Sequence, residues 1–168
     1  MSIEDHILLM SSQSPREIAA SYCQHLYDHF EIKCVGGIAY QERVTVEKPL
    51  MSIDALRYYS PEPIRQRQRV KFGFEPNIMI AIFYTKPLLE IESLRNEVLR
   101  GAAGLIRTVS CDLAVAFQDY YVLNYHDGVL NLMEYPHIEW WSQERLSLFA
   151  ETPYELKVQM TRRRRSQM

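Results

Sequence analysis

The sequence has little cysteine and no long apolar run. Its three cysteines form no Cys-x-x-Cys pair, and their odd number argues against a disulfide framework. No apolar run approaches the roughly 18 residues that a membrane-spanning helix requires. The first ten residues contain no basic segment, and their apolar run, Ile7 to Met10, is short, so we predict no signal peptide. These absences favour a cytoplasmic protein in a reducing compartment.

Short motifs for common chemistries are also missing. The sequence contains no P-loop, no Gly-x-Gly-x-x-Gly dinucleotide fingerprint and no Gly-x-Ser-x-Gly nucleophile elbow. The cysteines all lie in apolar patterns, which favours buried structural thiols over nucleophiles. They are Cys23, Cys34 and Cys111. We therefore predict neither a catalytic group nor a cofactor.

One histidine pair has the spacing of a metal site. His25 and His29 are separated by four residues, as two zinc ligands on one helical turn would be. Leu26 follows His25 where the His-Glu-x-x-His motif requires glutamate, and no third ligand is fixed nearby by the sequence. The pair is a weak metal candidate, and a solvated helix face is the commoner interpretation.

Length and composition indicate one globular domain. The chain has 168 residues, of which 47% are hydrophobic and 24% charged. These values are ordinary for a domain with one core. We predict a single domain over residues 1–160 and a basic, disordered tail over residues 161–168, with the run Arg162 to Arg165. The net charge of −2 argues against binding of nucleic acid by the whole chain.

Acidic residues are concentrated in the C-terminal third. Seven acids and one base, Arg145, lie between Ser110 and Pro153. Acidic surfaces often meet basic partners such as nucleases, because opposite charge speeds encounter and fixes orientation, although a merely soluble face has the same composition. For adjacent aromatic pairs such as Trp140 and Trp141 we expect one buried and one exposed ring. The partner-binding candidates are Asp112, Asp119, Tyr120, Asp127, Glu134 and Glu139.

Apolar periodicity predicts an α+β fold. A strand at Ile7 to Met10 precedes a helix that begins with the capping box Ser14-Pro15-Arg16-Glu17. The continuous apolar run Ile78 to Tyr84 predicts a central strand covered on both faces. A long helix follows from about Leu88 to Val109. Its predicted buried stripe is Ile91, Leu94, Val98, Ala102, Leu105 and Val109, and its predicted outward residues are Glu90, Arg95, Glu97, Arg100 and Arg107.

The remaining segments predict further strands and one short helix. Two short strands flank Gly36-Gly37, another spans residues 50–59, and a meander over residues 113–133 turns at the Asp127-Gly128 hairpin. Residues 65–71 are polar on both faces, which predicts an edge strand or an exposed connection. A helix at 142–149 and a last strand at 154–158 complete the chain. We expect one mainly antiparallel sheet with the long helix and the N-terminal helix packed on it, and a short C-terminal helix.

Two segments give the chain a family resemblance. Gly73-Phe74 and Pro76-Asn77 lead into the central strand, and the ending combines Trp140-Trp141, a helix and Pro153-Tyr-Glu-Leu. Over Ile7 to about Leu156 the chain resembles the small bacterial immunity proteins of the SitI type, partners of myxobacterial swarming-inhibition toxins. It departs from them in its basic tail and in reading Ile-Phe-Tyr-Thr-Lys before the long helix, where Phe-Arg-Leu-Asp-Lys is expected.

The resemblance implies a function rather than a set of site residues. It implies a cytoplasmic, non-enzymatic immunity protein that binds and occludes a cognate toxin domain. It carries over no catalytic or toxin-binding residue. Two alternatives stay open. One is a small regulatory or scaffold module that binds another protein, and the other is a small metal-dependent enzyme in which His25, His29 and a cysteine or carboxylate converge.

Overall fold

A computed structural model of the chain describes residues 4–35, 42–85 and 90–159. The predicted Gly36-Gly37 turn, the predicted start of the long helix at Leu88 and the predicted tail at 161–168 lie outside the described residues. The elements in chain order are β1 (Glu4–Met10), α1 (Pro15–Cys23), β2 (Lys33–Cys34), β3 (Arg43–Glu47), β4 (Met51–Arg57), α2 (Glu62–Phe72), β5 (Ile78–Tyr84), α3 (Ile91–Thr108), β6 (Asp112–Phe117), β7 (Tyr120–His126), β8 (Val129–Glu134), α4 (Gln143–Ser147) and β9 (Tyr154–Val158).

The strands form one sheet in the order β2-β3-β4-β5-β1-β6-β7-β8-β9. Neighbouring strands are antiparallel except β8 and β9, which are parallel. The predicted α+β architecture with a mainly antiparallel sheet is confirmed. The apolar strand β5 lies inside the sheet between β4 and β1, as its continuous apolar sequence predicts.

The hairpin between β7 and β8 is formed by Asp127 and Gly128. Both residues have positive φ, +49° and +76°, which is the backbone that a two-residue type I′ turn requires. Glycine adopts it freely and aspartate is among the residues that tolerate it. The turn fixes the register, so Leu123 lies opposite Leu132 and Tyr125 opposite Leu130.

The main core lies between one face of the sheet and the helices α1 and α3. The capping box at the start of α1 is formed: Glu17 N donates to Ser14 Oγ at 3.1 Å, and Ser14 N donates to the Glu17 carboxylate at 2.9 Å. Ile18 and Tyr22 of α1 are buried against this face, and the predicted apolar stripe of α3 is buried as well. Both helices therefore pack on the sheet as predicted.

The second face of the sheet carries α2, where a strand or an exposed connection was predicted. That prediction was wrong because α2 buries only Gln68 and Phe72, too little for an apolar stripe to be visible in the sequence. Phe72 packs against Leu8, which points away from the main core because β-strand side chains alternate between faces. Gly73 ends the helix in the left-handed conformation, with φ of +83°.

Candidate functional site

The six predicted partner-binding residues lie at the two ends of the β6–β7–β8 meander. Asp112 begins β6 and Asp127 lies in the β7–β8 hairpin, and the Asp127 backbone N–H donates to Asp112 Oδ1 at 3.3 Å. At the opposite end of β7, Asp119 lies in the turn after β6 and Tyr120 begins β7, beside Glu134 at the end of β8. Strands of this length separate the two ends by roughly 20 Å.

The Glu134 end contains a cleft with two tryptophans in its lining. We name it the tryptophan cleft; it is lined by residues 134–141 and Val158 and has a volume of about 570 Å³. Trp140 and Trp141 are 8% and 7% exposed, so the prediction of one buried and one exposed ring was wrong. The reason is that each ring has its own packing site within the main core.

Each tryptophan is fixed by aromatic contacts. The Trp141 ring meets Phe149 edge-on at 5.8 Å between centroids, and its Nε1–H donates to the Met133 carbonyl at 3.0 Å. The Trp140 ring packs beside Phe117 at 5.5 Å between centroids. These contacts make the lining of the cleft a rigid part of the core.

Arg145 fastens the tryptophan segment to the long helix. Its guanidinium donates to the Trp140 carbonyl at 3.0 Å, to Asn96 Oδ1 at 2.6 Å and to Glu92 Oε2 at 2.6 Å. The residue is 4% exposed. Arg145 is the only arginine or lysine between Ser110 and Pro153, so its burial leaves the surface of this segment without an arginine or lysine side chain.

A second buried arginine lies beneath the cleft. Arg95 was predicted to point outward, and this was wrong: its side chain is 5% exposed and pairs with Asp5 of β1, with Nε to Oδ2 at 2.8 Å and a second guanidinium nitrogen to Oδ1 at 3.0 Å. Its guanidinium also lies 4.9 Å from the Phe117 ring centroid and 5.4 Å from that of Trp140. A partner 90 residues away in the chain gives no local sequence signal.

Asp5 is saturated with hydrogen bonds. Besides Arg95 it accepts from the Tyr84 hydroxyl at 2.7 Å and from the Gln118 backbone N–H at 2.9 Å. Burial, followed by the charge of Asp5, raises the pKa of Tyr84 far above its usual range, so the phenol stays a donor. In the Asp5–Arg95 ion pair, each buried charge therefore has an oppositely charged, hydrogen-bonded partner.

Carboxylates without cationic partners surround the tryptophan cleft. Glu134 and Glu139 line it. Tyr120 packs between the rings of Tyr135, at 5.1 Å, and Trp140, at 6.0 Å, and so brings its neighbour Asp119 to the same end. Within the described ranges, none of these three acids has an arginine, lysine or histidine nitrogen within 4.0 Å.

The cleft continues into an exposed edge of the sheet. β9 is the last strand in the sheet order, and no strand of the described chain pairs with its outer edge. Three apolar side chains alternate along it and are 36%, 43% and 62% exposed: Tyr154, Leu156 and Val158. Val158 also lines the tryptophan cleft. An apolar edge with free backbone groups is a surface to which another chain can add a strand.

At the other end of the meander, a histidine joins the two predicted aspartates. His126 Nδ1 lies 3.2 Å from Asp112 Oδ2, and its Nε2 lies 3.3 Å from Asp127 Oδ2. We name these three residues the Asp–His cluster. Nothing in the sequence connected the His126 imidazole with Asp112. The two aspartates border a cleft of about 420 Å³.

The predicted histidine pair does not occupy one helical turn. α1 ends at Cys23, so His25 and His29 lie beyond it. His25 Nε2 contacts Thr108 Oγ1 at 3.2 Å. Among the described residues, neither histidine belongs to a group of three potential metal ligands, whereas the Asp–His cluster does.

The cysteines differ in their surroundings. Cys23 is buried and Cys111 is partly buried, and burial raises the pKa of each thiol to about 12. A thiol with so high a pKa has almost no thiolate at neutral pH and is a poor nucleophile. Cys34 is exposed, so the expectation of burial is wrong for this residue, which lies in the two-residue edge strand β2.

None of the protein-family models, curated proteins or solved structures compared with the chain matches it. No helix in the described part of the chain has both the length and the apolar character needed to cross a membrane.

Proposed function

We propose that the protein is an immunity protein without enzymatic activity, which binds a cognate bacterial toxin domain and covers its active surface. The observation that carries the proposal is the tryptophan cleft with its unpaired carboxylates, next to the apolar edge of β9. The resemblance to SitI-type immunity proteins supports the same function. The expected partner is a basic toxin domain, such as a nuclease.

The tryptophan cleft has the composition of a protein-binding surface. Binding interfaces combine a packed aromatic centre with a polar rim, and tyrosine and tryptophan are enriched among the residues that dominate affinity. Here Tyr135 and the largely buried Trp140 and Trp141 form the aromatic lining, and Glu134 and Glu139 supply the charge. Basic side chains of the toxin would pair with these carboxylates.

The cleft is also preorganised. Arg145 bonds to the Trp140 carbonyl and to two side chains of α3, those of Asn96 and Glu92, and Trp141 is fixed to the end of β8. A surface that is already ordered loses little conformational entropy on binding, so more of the contact energy appears as affinity. This rigidity suits an inhibitor that must bind before the toxin acts.

A binding experiment with a charge-reversed variant tests this function. The product of the neighbouring gene, as the candidate toxin, is purified in a catalytically inactive form, and its affinity for the chain is measured by calorimetry at two salt concentrations. Glu134→Arg with Glu139→Arg should weaken binding by roughly tenfold or more and reduce the salt dependence. The matched control is Asp28→Arg with Glu31→Arg, two exposed acids near the opposite edge of the sheet.

The control variant should bind like the unchanged protein. Absence of binding between the unchanged chain and the toxin domain would contradict the proposal, and it would leave a scaffold module as the better description. Equal affinity of both double variants would contradict the role of the tryptophan cleft.

A further inference from the structure

The Asp–His cluster has the donor set of a divalent metal site. One ring nitrogen of His126 and one carboxylate oxygen each from Asp112 and Asp127 lie within 4.8 Å of one another. Imidazole nitrogen and carboxylate oxygen are the ligands that zinc and related transition metals take in catalytic sites, usually three from the protein with a fourth position open to water.

The distance between His126 and Asp112 fits two ligands of one ion, and the orientation of the two groups is not that of a hydrogen bond. Donors around a tetrahedral ion with bonds of about 2.0 Å are roughly 3.3 Å apart. The His126 Nδ1 to Asp112 Oδ2 separation is 3.2 Å, yet the buried Nδ1 has no hydrogen-bond partner, because the oxygen lies off the direction that an N–H would need. A metal between the two atoms would satisfy both.

The charges of the cluster favour a cation. Asp112 and Asp127 bring two carboxylates close together, and His126 is the only basic side chain within 4.0 Å of either among the residues that the structure describes. The Asp112 side chain is 15% exposed, so water screens its charge incompletely. A bound divalent ion would neutralise both carboxylates.

The fold holds the imidazole ring in place. A Cβ at Gly73 would lie 2.8 Å from His126 Nε2, so only glycine lets the end of α2 approach the ring this closely. Phe74 packs near the ring from the same side, with 6.1 Å between centroids. Asp127 Oδ2 lies 3.3 Å from the other ring nitrogen, Nε2, and its side chain is 85% exposed, so it has room to rotate toward the ion.

We propose that Asp112, His126 and Asp127 form a binding site for a divalent transition metal of the zinc class. One imidazole nitrogen and the two carboxylates bind the ion, and the neighbouring 420 Å³ cleft gives water or a small ligand access to the open position. The ion links the start of β6 to the β7–β8 hairpin. The site is independent of the tryptophan cleft at the other end of the meander.

Calorimetric titration of the full chain with zinc chloride, after treatment with a chelator, tests the site. We expect one saturable zinc site per chain and no comparable heat with magnesium chloride, because a histidine ligand favours transition metals. Asp127→Asn and Asp112→Asn should each weaken zinc binding by about tenfold or more. Asp28→Asn, in which an exposed acid outside the cluster is changed, should leave zinc binding unchanged.

Thermal unfolding of each variant without metal shows whether it is folded. At one zinc concentration, the rise in melting temperature should be the same for the unchanged protein and Asp28→Asn and clearly smaller for Asp127→Asn, whose exposed side chain is unimportant for packing. Absence of saturable zinc binding would overturn the proposal. Zinc binding of unchanged affinity in both cluster variants would also overturn it. So would loss of zinc binding when His25 and His29 are changed to glutamine.

Discussion

Replacing Asp5 with alanine should destabilise the protein severely, because it leaves the Arg95 guanidinium buried without its main partner. Removal of one member of a buried ion pair lowers the free energy of unfolding by roughly 3 to 5 kcal/mol. Asp5 is fully buried and accepts four hydrogen bonds, two from Arg95 and one each from Tyr84 and Gln118, all of which lose their acceptor.

One remaining contact reduces the expected loss. Glu92 lies 3.1 Å from the Arg95 guanidinium, but its side chain is 61% exposed. Because water screens this ion pair, it can stabilise the unpaired Arg95 of the variant by about 1 kcal/mol at most. We therefore expect Asp5→Ala to lower the free energy of unfolding by about 3 kcal/mol. That is a large share of the 5 to 15 kcal/mol typical of a native domain.

Urea unfolding at pH 7, followed by circular dichroism, measures the effect. The matched control is Asp28→Ala, an exposed acid whose removal should change stability by less than about 0.5 kcal/mol. The double variant Asp5→Ala with Arg95→Met should be more stable than Asp5→Ala alone, because it removes the unpaired buried charge. A loss below about 1 kcal/mol in Asp5→Ala would refute this account of the buried pair.

Two further predictions concern the thiols and the long helix. At pH 8 a thiol reagent should quickly modify one cysteine per chain, the exposed Cys34. Cys23 and Cys111 should react slowly, because a thiol with a pKa of about 12 is only about one ten-thousandth thiolate at that pH. Mass spectrometry of the labelled peptides checks this, and fast labelling of Cys23 would contradict it. Gly101→Ala should lower stability by roughly 1 to 3 kcal/mol, because the new methyl group would overlap the fully buried Tyr22 ring. Gly104→Ala should lower stability less than Gly101→Ala, because its methyl group meets the partly exposed His25 ring, which has room to move. Equal melting temperatures of the two variants would contradict this difference.

Local sequence signals predicted the elements that depend on neighbouring residues. The apolar run of β5, the capping box of α1 and the Asp127-Gly128 hairpin all occur as predicted. Each arises from residues a few positions apart, so the pattern is complete within a short window. The helix α2 was missed because most of its side chains are solvated and a stripe of two buried residues has no visible period.

Features that depend on distant residues could not be predicted. The outward assignment of Arg95 followed from its charge, and only the fold brings Asp5 within reach of its guanidinium. The burial of both tryptophans likewise depends on Phe117 and Phe149, which lie in other elements.

The candidate site was partly predictable. The acids were visible in the sequence, but their division between the two ends of the meander was not predicted. The link between His126 and Asp112 was not predictable, because the β6–β7 register shifts at an irregularity between Val115 and Ala116.

A protection assay in cells tests the central claim most directly. The product of the neighbouring gene, as the candidate toxin, is expressed from an inducible promoter in a sensitive bacterium, together with the unchanged chain, the Glu134→Arg and Glu139→Arg variant, or the Asp28→Arg and Glu31→Arg control. The account predicts survival with the unchanged chain and the control, and growth arrest with the Glu134 and Glu139 variant at equal protein levels. Growth arrest with the unchanged chain, or full protection by the Glu134 and Glu139 variant, would contradict it.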